Sequence, residues 1–511
     1  MFLPSRRSNP AMPILSQLTY NIFAALLFIA IASAALLFAN YLIKPFRFTA
    51  AMLSVKLRRV ILFSVIILAA YILIGIIAEH AVPKSISSQY ASDHDPAGNY
   101  STVSSSHRVG LITDDGQALD LRLRAIENAE EEIILSTFDF RDDESGRIVA
   151  AFLYRAAKRG VKVNILTDGF CSFESTERSD LFRGLDSHGN ITFRIFSPVD
   201  ILRPRAIMSR LHEKYLIVDR RVMISGGRNI HDGFLGQGGA HQSTDLDLLI
   251  LGGTAEEVAE RFDGIFNSGS CRDHPMLREG SKKMTNIYSE LAAAAEDRLS
   301  SSPQLALSPE SADIEMTPVN RISVIYNPSS PGAKEPTVWY SLMEIMKAAR
   351  SDVRIITPYL ICSGGMYDDL RDIPGGSAAV SMILNSPQSG ANIFGSAVFL
   401  NDRDKISPLG MDVYEYYGYR SCHAKAMTVD GRLAIVGSFN FDMRSAYLNN
   451  EMMIVVDSPV LTSQLNKYMD DIESGSLPIS EDEAIPASRS LICRAAIAVI
   501  RLFEHPLRFL L

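Results

Sequence analysis

Cysteine is sparse and unpatterned, with Cys171, Cys271, Cys362, Cys422 and Cys493 scattered through 511 residues and no C-x-x-C pair among them. An odd number at irregular spacing argues against both a zinc cluster and a disulfide framework, leaving room for a single pair. No two histidines share a helical face beside a glutamate, and lysine does not ligate metals at neutral pH, so neither a metal nor any other cofactor is expected. Charge is missing from Ser8 to Ile43 and again over Val60–Ala78. Basic residues are outnumbered over most of the chain. Residues 1–84 hold eight Lys/Arg against one Glu, or +7, so a chain total of −8 leaves −15 on the remaining 427. That acidic balance argues against a protein that grips nucleic-acid phosphates by charge.

The two uncharged runs are long as well as apolar. Thr19–Ile43 and Val60–Ala78 each reach about the 20 residues that a helix needs to cross a bilayer. They predict two transmembrane helices, at about 19–43 and 60–78, in a membrane anchor of residues 1–84. The first run is too long for a cleaved signal peptide, and a second span follows at once. Lys44, Arg47, Lys56, Arg58 and Arg59 lie between the spans, Arg6 and Arg7 before the first, and only Lys84 close behind the second. The positive-inside rule then favours a cytoplasmic loop and a catalytic portion on the exoplasmic face of a multi-pass cell-membrane protein.

Residues 85–108, rich in Ser, Pro, Gly and Asn, read as a linker. From Val109 the pattern changes. Ala118–Glu132 places Leu119, Leu123, Ile126 and Ala129 at helical spacing, Ile133–Phe138 is a short apolar strand, Arg147–Arg159 is helical up to Gly160, and Val161–Leu166 is a second strand. The order recurs in the second half. Val338–Arg350 matches the first helix, Val353–Thr357 the first strand and Ala379–Asn385 the second. The alternation predicts an α/β fold of two similar units, residues 109–270 and 319–475, each with a largely parallel sheet and packed with pseudo-two-fold symmetry. Between them residues 271–318 read as a polar linker, with a helix expected around Ile287–Arg298. At the end, residues 488–511 set Arg489, Arg494 and Arg501 among apolar side chains. This suits a basic amphipathic helix on a bilayer surface, or equally one packed on the catalytic domain, but not a third span with arginines at mid-membrane.

Both units end in the same pattern, H-x-K-x4-D-x6-G-[SG]-x-N. The second copy has His423, Lys425, Asp430, Gly437, Ser438 and Asn440, and the first has His212, Lys214, Asp219, Gly226, Gly227 and Asn229, 211 residues earlier. LHEKYLIVD and CHAKAMTVD read as strands, so the His and Lys of each copy share a face. One imidazole can attack phosphorus as a nucleophile, and a second, with an ordinary pKa near 6.5, can protonate the leaving alcohol and then deprotonate the acceptor. Two lysines, with Asn229, Asn440 and Ser438, can hold the phosphoryl oxygens as charge is redistributed. One half-site has one histidine, which explains why there are two. Asp219 and Asp430 complete the catalytic pattern, though each ends a strand at a turn and could equally anchor backbone. Asp245 and Glu451, each just downstream of its copy, are candidates to orient the histidine of that copy, with Asp247 competing with Asp245.

These stretches resemble the duplicated HKD motifs of the phospholipase D superfamily over roughly residues 110–470. GGRNI after the first motif, SFNFDMRSAYLNNE after the second, and FDFRDDESGR at 138–147 look most like bacterial cardiolipin synthases. The resemblance implies a membrane-bound transfer of a phosphatidyl group between phospholipids through a phosphohistidine, with His212 favoured as nucleophile. His212, Lys214, Asn229, His423, Lys425 and Asn440 would form the site, with Asp245 and Glu451 in support. The chain departs from the pattern at Gly226-Gly227, where Gly-Ser is usual, and over residues 386–420, which match loosely and border the expected acceptor pocket. The alternative is a phospholipase D that uses water as acceptor and yields phosphatidic acid. A nuclease of the superfamily would need a basic groove, which the acidic balance disfavours, and an inactive scaffold is disfavoured because both motifs are complete.

Overall fold

The computed structural model describes residues 63–72, 74–75, 84–200, 206–236, 242–373, 378–479 and 490–508. The span expected at 19–43 lies outside them. Of the second expected span, residues 63–72 and 74–75 are helical and carry exposed Phe63, Ile67 and Ile74. No helix among the described residues is long and apolar enough to cross a membrane.

The body of the chain forms two large sheets of matching order. In the first, β1 (Arg108–Ile112), β2 (Glu132–Thr137), β3 (Lys162–Asp168), β4 (Ile191–Phe196), β5 (Tyr215–Val218), β6 (Val222–Gly226), β8 (Asp247–Leu251), β9 (Cys271–Asp273) and β10 (Thr317–Pro318) run β10-β1-β8-β6-β5-β2-β3-β4-β9. In the second, β11 (Arg321–Tyr326), β12 (Asp352–Ile356), β14 (Ala379–Asn385), β15 (Asp412–Tyr416), β17 (Ala426–Val429), β18 (Leu433–Gly437), β20 (Met452–Asp457) and β21 (Ser476–Pro478) run β11-β20-β18-β17-β12-β14-β15-β21. Read from β1 and from β11, the two orders superimpose strand for strand, so the α/β duplication is a duplication of topology. The expectation of largely parallel sheets is corrected. Only β2-β3-β4 and β12-β14-β15 are parallel, and the motif strands β5-β6-β8 and β17-β18-β20 are antiparallel meanders. The short Arg220-Arg221 and Gly431-Arg432 connections permit only antiparallel return, because a parallel strand needs a long crossover.

Local chemistry accounts for the surrounding helices. Helix Glu144–Lys158 begins where the Asp143 carboxylate accepts from Gly146 N at 3.0 Å, and Gly160 follows its end at φ 102°, a left-handed conformation that glycine takes without penalty. Three large apolar cores result among the described residues. One lies beneath the first sheet, one beneath the second, and the third is shared, joining Phe262 and Ile265 of helix Thr254–Phe266 to Leu461, Leu465 and Met469 of helix Pro459–Glu473.

Two stretches read as linkers are built into the body, and the C-terminal helix is docked on it, one of its two expected arrangements. Within 85–108, helix Ser88–Asp93 sets Tyr90 Oη 2.9 Å from Ser341 Oγ, and Ser101 N donates to Asp457 at 2.7 Å. Residues 271–318 supply β9 and β10 and the 20-residue helix Lys282–Ser301, which buries Leu291 and Ala295 and stacks Tyr288 on Tyr154. Helix Leu491–Leu507 docks on helix Ile393–Asn401 through Ile497, buried against Ala397 and Leu400.

The two units are also stitched together by backbone, reciprocally. β16 (Ser421–Cys422), leading into the second motif, pairs in parallel with β7 (Ser243–Thr244) of the first unit, and His423 N donates to Thr244 O at 2.7 Å. In return Leu211 bridges Asn450, and His212 N donates to Asn450 O at 3.0 Å. Each motif histidine is therefore held at its own amide by the opposite unit.

Candidate active site

Asp219 and Asp430 anchor the hairpins that present the histidines. Both have positive φ, 48° and 54°. The Asp219 carboxylate accepts from the amides of Glu130, Glu131 and Glu132 at 2.8–2.9 Å. Asp430 does the same for Arg350, Ser351 and Asp352 at 2.8–3.3 Å. Each thus pins the start of the neighbouring strand, β2 or β12, to the turn after its own, and neither lines the catalytic cleft. Their backbone role, rather than the catalytic one, is what the geometry provides.

His212 and His423 do line one cleft, of about 730 Å³. The carboxylates that orient them are exchanged between units. His212 Nδ1 lies 2.9–3.0 Å from Glu451, and His423 Nδ1 lies 2.6 Å from Asp245. The expectation that each acid serves the histidine of its own copy is corrected, because the Leu211–Asn450 and β7–β16 pairings carry each carboxylate across to the other motif. Asp247, the competitor, is occupied below the site by Arg122 at 2.9 Å and Arg228 at 3.3 Å. A carboxylate accepting from Nδ1–H fixes the tautomer in which Nε2 carries the lone pair.

Ser438, expected at the phosphate, instead donates to Glu451 Oε2 at 2.5 Å. Ser445 Oγ at 2.8 Å and Asn449 Nδ2 at 3.2 Å complete the donors around that carboxylate. Gly227 takes the place of this serine in the first copy for a steric reason. A Cβ there would overlap the Asp245 carboxylate.

Burial dominates the electrostatics. It holds His212 well below the usual imidazole range and pushes His423 down to about 3, with the Lys214 and Lys425 charges acting in the same direction. It also lowers Lys214 to about 7 and Lys425 to about 8, and raises Glu451 to about 7. For Asp245 the effect of burial is outweighed by His423 and Lys425, which keep it below the ordinary carboxylate value. Both imidazoles are therefore neutral at pH 7, the form a nucleophile or base requires. Lys214 Nζ donates to His212 O at 2.7 Å, and Lys425 Nζ lies 2.8 and 3.0 Å from the two ring nitrogens of His423. Lys425 Nζ also donates to His423 O, so each ammonium is held beside the imidazole of its own motif.

Asn229 and Asn440 line the cleft, and the side-chain oxygen of each is buried without a hydrogen-bond partner, as expected of groups that meet a ligand. Asn440 Nδ2 donates to Tyr359 Oη at 3.0 Å. Tyr359, Arg210, Arg444, Asn392 and Asn449 share the walls and were not singled out from the sequence. Arg444 lies four residues past Asn440 on the short helix Met443–Tyr447, and its burial among charged neighbours lowers its pKa. Arg210 is fixed by Asp168 at 3.4 Å and Ser197 O at 2.8 Å. Phe138, Phe170, Phe394, Val499, Ile500 and Phe503 make most of the remaining lining apolar, with Asp442 and Glu504 beside them. Among the described residues no three His, Cys, Asp or Glu side chains converge as a metal site would require.

Two oriented neutral imidazoles, two lysines and an apolar wall, assembled from duplicated sheets, define a phospholipase D-type site for a phosphodiester with greasy substituents. The family model described as "Cardiolipin synthase, PLD-like domain" matches residues 123–268 and 342–472, more than half of the chain, and the chain belongs to this family of phosphatidyltransferase-type, phospholipid-metabolising enzymes. It is 27% identical over 388 residues to cardiolipin synthase C of Escherichia coli K12, covering 68% of this chain and 81% of that protein. It is 23% identical over 382 residues to a cardiolipin synthase of Staphylococcus aureus, covering 74% and 70%. An uncharacterized protein of Helicobacter pylori is 27% identical over 401 residues, covering 71% and 79%. The crystal structure of a phosphatidylserine synthase from Haemophilus influenzae shares the fold, with a TM-score of 0.58 at 14% identity over 79% of this chain and 95% of that one.

Proposed function

We propose that the chain is a membrane-bound phosphatidyltransferase that joins two phospholipids, as a cardiolipin synthase does. The observation that carries the reading is the pair of crosswise-oriented neutral histidines in one cleft whose remaining wall is largely apolar. A bound phosphodiester anion favours protonation of the histidine that does not attack. In the first step Nε2 of the neutral histidine attacks phosphorus, forming an N–P bond as the P–O bond to the headgroup breaks, and the protonated one gives its proton to the departing alkoxide. In the second step that histidine takes the proton from the hydroxyl of the second lipid's headgroup, whose oxygen displaces the first histidine. With phosphatidylglycerol as both donor and acceptor, the products are a diacyl–diacyl lipid and glycerol. Lys214 and Lys425 hold the non-bridging oxygens, whose charge builds in both steps.

His212 is the nucleophile in this reading and His423 the acid–base group. His423 is the more exposed, at 24% of its side chain against 10%, which suits a group that meets departing and arriving alcohols. The membrane-bound part of the proposal rests on the uncharged runs of residues 1–84. The test is to incubate the purified chain with phosphatidylglycerol, with and without phosphatidylethanolamine, beside His423→Ala. A diacyl–diacyl product from wild type, lost on the order of 100-fold in the variant, is the expected result. Phosphatidic acid alone would identify a hydrolase. Phosphoenzyme trapped in the variant should map to the peptide containing His212.

A further inference from the structure

The C-terminal helix Leu491–Leu507 divides its circumference three ways. One side is docked: Ile497 is fully buried, Arg501 Nε donates to Asn401 at 2.7 Å, and Glu504 pairs with Arg508 at 2.8 Å beside Asp402. The next side, Val499, Ile500 and Phe503, is a wall of the catalytic cleft. The third faces outward and is apolar, with Leu491, Ile492, Ala495, Ala498, Val499 and Leu502 exposed on one stripe. Exposure reaches 77% at Leu491, 84% at Ile492 and 75% at Leu502. Val499 belongs to both the cleft wall and the outer stripe, so the two surfaces are continuous. Phe170 and Phe394, also in the cleft lining, are 63% and 43% exposed and extend the apolar rim.

We infer that the outer face of this helix lies in a lipid surface and that its cleft side is the portal through which acyl chains reach the histidines. The inference rests on the phospholipid-transfer reading and deepens it. A cleft for a small soluble diester has no use for a rim of this kind, whereas a lipid whose chains stay in the monolayer needs an apolar path continuous with it. The charge distribution sharpens the point. Arg501 and Arg508 are turned inward to hold the helix on the body, and of the arginines described in the helix only Arg494 stands on the outer face. Contact is therefore made by aliphatic side chains rather than by attraction to anionic headgroups, and salt should weaken it little.

The full chain reconstituted into vesicles gives the test. Ile492→Trp adds a reporter to a protein whose one tryptophan, Trp339, is 3% exposed and serves as the internal control. Acyl-brominated phosphatidylcholine should quench the new tryptophan at least twofold, equally in 0.1 M and 0.5 M NaCl, and absence of quenching would overturn the inference. In a second variant, Leu491→Gln with Ile492→Gln and Leu502→Gln, turnover of vesicle phosphatidylglycerol should fall about tenfold or more. Turnover of water-soluble bis(p-nitrophenyl) phosphate should stay within twofold. Retention of both activities, or their loss in parallel, would also overturn it. If wild type turned over neither substrate, the transferase reading would fall, while the quenching would still report where the helix lies.

Discussion

Asp245→Asn should act on a histidine 178 residues away in the other unit and leave the nearer one alone. The Asp245 side chain is fully buried, and its carboxylate accepts from His423 Nδ1 at 2.6 Å. A buried hydrogen bond to a charged group contributes about 1.5–3 kcal/mol, and each 1.36 kcal/mol is about tenfold in rate. Removing the charge should therefore lower kcat/KM for lipid transfer by roughly 10- to 150-fold, with KM changing less than kcat. The diagnostic is a double-mutant cycle. In a His423→Ala background there is no imidazole left to orient, so Asp245→Asn should cost less than about threefold further. Glu451→Gln in the same background should keep its full cost, because it acts on His212. Single-turnover transfer from radiolabelled phosphatidylglycerol at high enzyme concentration can follow such slow variants. If Asp245→Asn were additive with His423→Ala while Glu451→Gln became silent, the carboxylates would serve their own copies and the crosswise geometry would be refuted.

Lys214 at about 7 and Lys425 at about 8 should give kcat/KM a falling alkaline limb, as the free enzyme loses the ammonium charges that hold phosphoryl oxygens. A bound phosphodiester anion favours the protonated lysines, so the limb in kcat should lie at higher pH, and a kcat/KM flat to pH 10 would contradict the assignment. Gly227→Ser, which copies the second motif into the first, should displace Asp245 from His423 and lower turnover tenfold or more, while the same protein assayed by thermal melting remains folded. Asp430→Asn keeps a residue that tolerates positive φ but weakens the capping of three amides. It should cost about 1 kcal/mol of stability, by analogy with helix-cap losses, and leave kcat/KM of the folded enzyme within about twofold. A hundredfold loss with the melting temperature unchanged would return Asp430 to the chemistry.

The site was legible in the sequence to the extent that it is local. The His-x-Lys pairs were legible from their spacing, and the structure has both in or beside the cleft, but the expectation that they lie on strands is corrected, since β5 and β17 begin only at Tyr215 and Ala426, just after each lysine. The turn role of Asp219 and Asp430 was also foreshadowed by their position at strand ends. What was not legible depends on how the units pack. Nothing near Asp245 in the sequence marks His423 as its partner; the β7–β16 pairing decides it. Arg210, Arg444 and Tyr359 carried no spacing signal, since each reaches the cleft from a different loop or short helix. Within residues 271–318 the helix around Ile287–Arg298 was legible from its composition. Its docking was not, since only Leu291 and Ala295 of helix Lys282–Ser301 are fully buried and so small a buried face leaves little pattern to read. The parallel sheet was overestimated because the helix–strand rhythm of the first strands was carried through to the motif hairpins, where it stops.

The exchange of carboxylates has a consequence for engineering by parts. Because His212 comes with Glu451 and His423 with Asp245, a chimera that takes residues 109–270 from one relative and 319–475 from another does not inherit one intact half-site and one new one. It inherits two hybrid ones, each with an imidazole from one parent and its carboxylate from the other. The smallest transferable module is the cross-pair, not the repeat.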